Sequence, residues 1–251
     1  MARDEYADFA ERYDRFFGGR FDRHDARKIS FFRNLFEQAG ARRVLDCACG
    51  TGRDLHLLVG LGLDVTGSDI SPAMLSRARR NLAEYDMDIP LVEADYRRLP
   101  ATFAEPFDAV LCLSTSLAHM PTEHAMVTAL RSMRGVLREG GLLVLSQGTT
   151  DRQWRERPRF IAAVSEPDFM RLFVIDYHDR GATYNILDLI PGSEAGDLQH
   201  WSTEYPLIPL RDDQEKLLRE AGFGEAEFFG DWSGNPYDRE RSGLLIAVAK
   251  R

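Results

Sequence analysis

Apolar positions follow two spacings along this chain. Between residues 42 and 147, the runs "RRVLDCA", "LDVTGSD", "IPLVEAD", "FDAVLCLS" and "GLLVLSQ" read as strands, and stretches of helical period separate them. Leu55, Leu58, Val59 and Leu61 repeat at helical spacing, and Gly62 closes that run. Ser71 followed by Pro72 is a cap and first-turn pair that opens the next helix. Pro121 starts a further helical pattern that Gly140 and Gly141 end. Strands alternating with helices predict βαβ units and a parallel sheet.

The pattern changes after residue 150. "DFMRLFVIDYHD", "ATYNILDLIPG" and "LQHWSTEYPLIPL" read as antiparallel strands joined by turns. "RDDQEKLLREAGF" is an amphipathic helix with Gly222 past its last turn, and the strand-like runs "EAEFFGDW" and "SGLLIAVAK" follow it. The expected organisation over 1–251 is one domain: a helical arm (1–40), a ligand-binding core (41–150), an antiparallel insertion or lid (160–210), and a closing helix and hairpin (211–251).

Composition narrows the functional classes. The 251 residues are 44% hydrophobic and 29% charged, which supplies a globular core, and the formal net charge is −8. An acidic chain is a poor partner for a phosphate backbone, so no nucleic-acid partner is expected. Arg152, Arg155, Arg157 and Arg159 cluster, but Glu156 interrupts them, and they read as solvated surface. No apolar run reaches the ~18 residues of a membrane helix, and the charged N-terminus lacks a signal-peptide core. The expectation is a soluble cytoplasmic protein with no membrane partner, its oligomeric state left open.

Three cysteines make no disulfide framework. Cys47 and Cys49 stand one residue apart, which is neither a zinc pattern nor the redox C-x-x-C spacing, so no metal is expected and both read as small buried residues.

"DCACGTG" holds the pair G-x-G. A dinucleotide fingerprint needs a third glycine where Leu55 stands, and a phosphate loop needs Gly-Lys-Ser/Thr where Arg53 and Asp54 stand. Asp46, Asp69 and Asp95 each close a predicted strand. A glycine turn with three acids at successive strand ends implies a nucleoside that carries a positive group.

These residues resemble the class I S-adenosylmethionine-dependent methyltransferases, in the order "VLDCACGTG", "VTGSDISPAML", "LVEADY", "FDAVLCLSTSLAHM" and "LREGGLLVLS". The resemblance implies an α/β, Rossmann-like, doubly wound seven-stranded sheet with a small antiparallel insertion after strand five. It implies S-adenosylmethionine as cofactor, with Asp46 and the Ala48 backbone at its amino group and Gly50 and Gly52 along its methionine part. Asp69 would take the ribose, Ile70 and Met74 the adenine, Asp95 and Tyr96 the base, and the Leu113 backbone would lie near the methionine moiety.

Within the class, the chain is most similar to glycine N-methyltransferases and, more loosely, to aminosugar N,N-dimethyltransferases. Tyr6 resembles a tyrosine of the former family's N-terminal arm that reaches the active site. Two departures bear on the acceptor: Thr115 replaces an asparagine, and Gly148 replaces an arginine that clamps the substrate carboxylate. A glycine cannot supply that fork, so glycine is a poor expected acceptor. Arg23 or His24 would stand in for the arginine that meets the cofactor carboxylate.

His119 is a candidate to position or deprotonate the acceptor, or else a histidine satisfied beside Pro121. Tyr13, Tyr177, Tyr184 and Trp201 are candidates to wall a pocket, and Asp176, Asp188 and Glu204 to offer charge to an amine or to be surface. The expected activity is methyl transfer to a small molecule, on nitrogen first and oxygen second. The rivals are a nicotinamide-dependent oxidoreductase and a non-catalytic protein that binds S-adenosylmethionine.

Overall fold

A short helix α1 (Ala10–Tyr13), a 3-10 turn (Asp14–Phe17) and α2 (Ala26–Ala39) lead into β1 (Arg43–Asp46). There follow α3 (Arg53–Gly60), β2 (Asp64–Asp69), α4 (Pro72–Ala83), β3 (Leu91–Glu93), α5 (Leu99–Thr102) and β4 (Phe107–Cys112). A 3-10 turn (Ser116–His119) and α6 (Glu123–Gly135) carry the chain to β5 (Leu137–Gln147). After α7 (Asp151–Glu156) come β6 (Phe160–Glu166), β7 (Phe169–Tyr177), β8 (Ala182–Leu189) and β9 (Leu198–Tyr205). The chain closes with α8 (Arg211–Glu220), β10 (Ala226–Phe229) and β11 (Leu245–Lys250). This computed structural model describes residues 4, 6–17, 20–192 and 198–251.

The main sheet has the order β10-β11-β5-β4-β1-β2-β3. β3, β2, β1, β4 and β5 run parallel, while β11 is antiparallel to both β5 and β10. Successive strand residues feed opposite faces. Val44, Ala109, Leu111 and Val144 pack with Phe32, Phe36, Leu55, Leu58 and Leu82, whereas Leu45, Val110, Leu143 and Leu145 pack with Met126, Leu130, Met133 and Leu217. Both faces are therefore covered, which is why these strands read as near-continuous apolar runs. The strand order reverses between β1 and its neighbour β4, so the crevice at the carboxyl ends of these two strands is where such sheets hold ligands.

The helix starts follow the caps in the sequence. Ser71 Oγ accepts the Met74 N–H at the head of α4, and Thr122 Oγ1 accepts the Ala125 N–H at the head of α6. One boundary differs from the sequence reading. The helix expected to run to Gly141 ends at Gly135, and Leu137–Gly141 already belong to β5. Phe107 pairs with Leu137 while Ala109 pairs with Leu142, so the extra residues form a bulge, and Gly140 turns through it at φ +73°. The two glycines are thus strand features that the sequence pattern could not tell from a helix stop.

The insertion is a separate antiparallel sheet of order β6-β7-β8-β9. Its first strand, "FIAAVSE", lies at the sheet edge with no buried residue and precedes the three strands that the sequence pattern predicts. Ile175 and Ala182 on its inner face pack with Ala118 and Ile208, and Trp154, Tyr184 and Tyr205 border that cluster. Gly181, between β7 and β8, has the carbonyls of Tyr205 and Pro206 against the position a side chain would take. Backbone cannot move aside as a side-chain tip can. Gly181→Ala is expected to cost at least about 2 kcal/mol, at the upper range of overpacking penalties, read by urea denaturation. A change below about 0.5 kcal/mol, the size of an ordinary surface substitution, would overturn that packing argument.

Candidate active site

The loop after β1 is pinned from both sides. Cys47 N–H donates to the Leu111 carbonyl on β4, and Cys49 N–H donates to the Ser68 carbonyl on β2, each at 2.9 Å. Cys47, Cys49 and Cys112 are buried free thiols, and burial pushes the first two well above the usual thiol range, as suits packing groups. Gly50 holds φ +53° with open space over its Cα, room that a ligand can use. Gly52 serves packing: a Cβ there would press on Ala78 and Leu82 of α4.

Asp46 ends β1 with 2% exposure and accepts the Ala48 N–H at 3.2 Å. Burial first, and Asp54 second, push its carboxyl up to about 8, against the opposing pull of the Ala48 N–H and Lys28. Lys28 Nζ is itself 2.7 Å from Asp54 Oδ1. A buried acid in this state is stabilised by an added cation, which fits an ammonium group. Asp69, at the end of β2, accepts the N–H groups of Gly50 (2.8 Å) and Ser71 (2.9 Å). Burial raises its carboxyl and these bonds oppose the rise. The next residue, Ile70, is 59% exposed and offers an apolar surface beside that carboxylate, while Met74 is buried.

The other positions expected at the cofactor are tied differently. Asp95 lies beyond the short strand β3, and its carboxylate accepts the Arg97 N–H and both arms of the Arg97 guanidinium. Tyr96 donates its hydroxyl to the Ser116 carbonyl at 2.9 Å, and the Leu113 carbonyl accepts from the Ser116 N–H and Oγ. His24 Nε2 lies 2.9 Å from His56 Nδ1, and burial, then Arg53, push the His24 imidazole down to about 4. A neutral His24 is a weak counter-charge for a carboxylate.

The loop after β4 carries strain. Ser114 and Thr115 adopt left-handed conformations at φ +56° and +71°, though neither is glycine. Each such residue costs about 1–3 kcal/mol and persists only where its surroundings hold it. Here Ser146 accepts both N–H groups, through Oγ for Ser114 and its carbonyl for Thr115, and Thr115 Oγ1 accepts the Gly148 N–H at 3.2 Å. The turn so aimed ends on His119. Its Nε2 is 2.8 Å from the Tyr6 hydroxyl, and burial pushes the imidazole down to about 4, so the ring is neutral at pH 7.

Aromatic rings surround this pair. His119 lies 4.8 Å from the Tyr205 ring, and Tyr205 meets Tyr184 edge-on at 5.2 Å. The Tyr6 ring is 5.1 Å from Trp201, which stacks on Phe9 at 4.2 Å. Tyr13 packs edge-on against Phe9, and burial raises its hydroxyl and that of Tyr205. Polar groups lie on one side, where the Tyr184 hydroxyl is 2.8 Å from Thr149 Oγ1 and accepts the Gln153 amide at 3.1 Å. Tyr177 belongs to another contact, with Trp154 at 5.7 Å.

The arm that carries Tyr6, Phe9 and Tyr13 is fastened by groups that sequence reasoning missed. Asp4 accepts from Ser71 Oγ and the Ala73 N–H at the head of α4. Asp14 accepts from Thr51 Oγ1 of the glycine loop and from the Asn81 amide. No spacing in the sequence pairs these residues, since each contact joins distant segments. The acids proposed for the acceptor fall elsewhere: Asp176 pairs with Arg159, Glu204 is exposed, and Asp188 is neither surface nor open to an amine but a fully buried partner of Arg171 and Arg12.

Residues 44–141 match the family model described as a methyltransferase domain. A glycine/sarcosine N-methyltransferase of Parasynechococcus marenigrum is 37% identical over 145 residues, covering 58% of this chain and 51% of that protein. A second, from Aphanothece halophytica, is 28% identical over 235 residues, covering 88% and 80%. The chain thus spans about half the length of the first of these curated relatives. Among solved structures, a sugar N-methyltransferase of a Streptoalloteichus species matches with TM-score 0.71 and 28% identity over 95% of this chain and 93% of that one. A methyltransferase of Clostridium acetobutylicum shares the fold at TM-score 0.79 and 17% identity, covering 98% of each chain. Residues 44–141, with the pinned glycine loop and the buried acid, thus match a methyltransferase domain, and the seven-stranded sheet with its insertion shares the fold of the methyltransferase structures it resembles.

Proposed function

We propose that the chain transfers a methyl group to the nitrogen of a small hydroxylated amine without a free carboxylate, such as an amino sugar. The observation that carries this reading is the Tyr6–His119 pair, walled by Trp201, Tyr205 and Phe9 beneath the N-terminal arm. The relatives' names point to nitrogen acceptors, glycine or sarcosine in one group and sugars in the other. Position 148 offers a backbone N–H to Thr115 and no guanidinium, which disfavours a carboxylate-bearing acceptor. Aromatic faces suit the C–H faces of a sugar, and Thr149, Tyr184 and Gln153 suit its hydroxyls.

In this reading Asp46 and the Gly50 segment hold the methionine part, and Asp69 and Ile70 the nucleoside. When bound, the cofactor supplies an electrophilic methyl on a sulfonium, and its departure leaves a neutral thioether. The chain's own work is alignment and exclusion of water. The arm roofs the site, and the aromatic walls keep the approach of the amine narrow. With the neutral His119 ring protonated on Nδ1, its Nε2 accepts the Tyr6 hydroxyl proton, and the phenol oxygen is then left as an acceptor for an amine N–H. That bond orients the nitrogen lone pair, and the surplus proton of the methylated amine is lost to solvent after release, because an imidazole held near 4 is too weak a base to take it. No helix among the described residues is long and apolar enough to cross a membrane, and we place the activity in the cytoplasm.

The acceptor class is tested by transfer of labelled methyl to an amino sugar, glycine, sarcosine and a phenol. The amino sugar should be methylated on nitrogen, with glycine at least tenfold slower. Glycine as the best acceptor would overturn the assignment. An amine entering unprotonated needs orientation more than a base, so Tyr6→Phe and His119→Ala should each lower kcat by about tenfold. Losses of about 10²–10⁴, the range for removal of a general base, would point to oxygen. Because His119 stays neutral down to about pH 4, its protonation should not appear in the rate profile above pH 5.

Cofactor binding should be linked to a proton. With its carboxyl near 8, Asp46 is mostly protonated in the cofactor-free protein at pH 7 and must ionise to meet an ammonium. Calorimetry at pH 7 in buffers of different ionisation enthalpy should show release approaching one proton per S-adenosylmethionine, and Asp46→Asn should abolish it while weakening binding. The sign for folding follows. The folded state holds a proton the unfolded chain has lost, so Asp46 contributes stability below about pH 4, and this falls away as pH rises to about 8. Asp46→Asn should remove that slope from the melting temperature of the cofactor-free protein.

A further inference from the structure

Arg171 and Asp188 face each other across β7 and β8, paired in the ladder and exposed by 1% and 0% respectively. Arg171 Nε and the guanidinium nitrogen Nη2 donate to the two carboxylate oxygens of Asp188 at 2.6 and 2.8 Å. The pair does not spend all its bonding capacity on itself. Nη2 also donates to the Arg12 carbonyl at 2.9 Å and Nη1 to the Tyr13 carbonyl at 3.4 Å, both in α1 of the arm. The Arg12 guanidinium returns the contact, donating to Asp188 Oδ2 at 2.9 Å, and the Arg171 guanidinium lies 5.0 Å from the Phe9 ring centre. A planar guanidinium that forks to a carboxylate and to two backbone carbonyls fixes the angle as well as the distance of what it grips.

We propose that the buried Arg171–Asp188 pair is the positioning element of the acceptor site. It registers α1 on the lid sheet so that Phe9 stacks on Trp201 and Tyr6 reaches His119. A pair this deep gives little net stability compared with apolar residues of similar volume, so its value here lies in what it orients. The opposite side of the arm is fastened separately, by Asp14 to Thr51 and Asp4 to Ser71. The two attachments divide the labour: the loop side serves the cofactor pocket, and the lid side serves the acceptor.

This division is tested on the full chain, by hydrogen exchange of residues 6–13 and by calorimetric binding of S-adenosylmethionine. Removing one partner alone would strand a buried charge, so the informative variant replaces both, Arg171→Met with Asp188→Leu, which keeps the sheet filled. Arg12→Met, a change at a partly exposed side chain, is the second variant and leaves the buried pair intact. In both, arm amides should exchange at least tenfold faster, β7 and β8 amides should keep their protection, and affinity for the cofactor should stay within twofold. With any acceptor that the wild type methylates, kcat should fall at least tenfold while KM for S-adenosylmethionine is unchanged. Unaltered arm exchange in both variants would overturn the proposal, as would a loss of cofactor affinity as large as the loss of arm protection. Exchange and cofactor binding do not depend on the acceptor, so the proposal fails separately from the reading of the substrate.

Discussion

Asp46 is a carboxylate held at the end of the central strand, nearly shut off from water, with a backbone N–H and a distant lysine to offset its burial. That arrangement disfavours the ionised carboxyl in the free protein, and on the proposed function the cofactor's ammonium would supply the charge that lets the buried group ionise. The sheet creates it. Strand order reverses beside β1, the loop is pinned to β2 and β4 by its cysteine N–H groups, and Gly50 leaves the space above it open. Every other part of the site is placed relative to this fixed point. Asp69 braces the loop through the Gly50 N–H, and the strained turn at Ser114 and Thr115 rises from the adjoining strand.

The second organising feature is a bridge. The N-terminal arm joins the glycine loop and the head of α4 on one side to the antiparallel sheet on the other, through hydrogen bonds with four separate segments. It brings Tyr6 to His119 and Phe9 to Trp201 over the loop that follows β4. On the proposed function, this neutral imidazole, phenol and set of aromatic faces would align a nucleophile without offering a strong base.

The parts of the fold legible in the sequence were those governed by short-range rules. The cap at Ser71 and the βαβ alternation appear where their residues put them, since each depends on neighbours a few positions away. Where a local signal had two readings, the sequence favoured the wrong one. Gly140 and Gly141 resemble a helix stop and instead bend β5 through a bulge set by its pairing with β4. Strand β6 has no buried residue and no alternation of apolar and polar positions, and it is defined by its ladder with β7.

The site divides along the same line. The sequence by itself determined the glycine loop and the acids Asp46 and Asp69, because these follow strands and turns whose geometry is local. It named Tyr6 from resemblance and His119 as a candidate by its place in the loop, but not that they touch. Tertiary structure decided that contact, the strained aim of the loop after β4, and the fate of the acids on the lid. Asp188 looks in sequence like any acid on a strand, and although Arg171 faces it across one hairpin, its burial against the arm joins segments 176 residues apart in the chain. A spacing rule carries no information over such distances. Only the packing of the arm across the sheet, with desolvation fixing which charges must pair, settles what each residue faces.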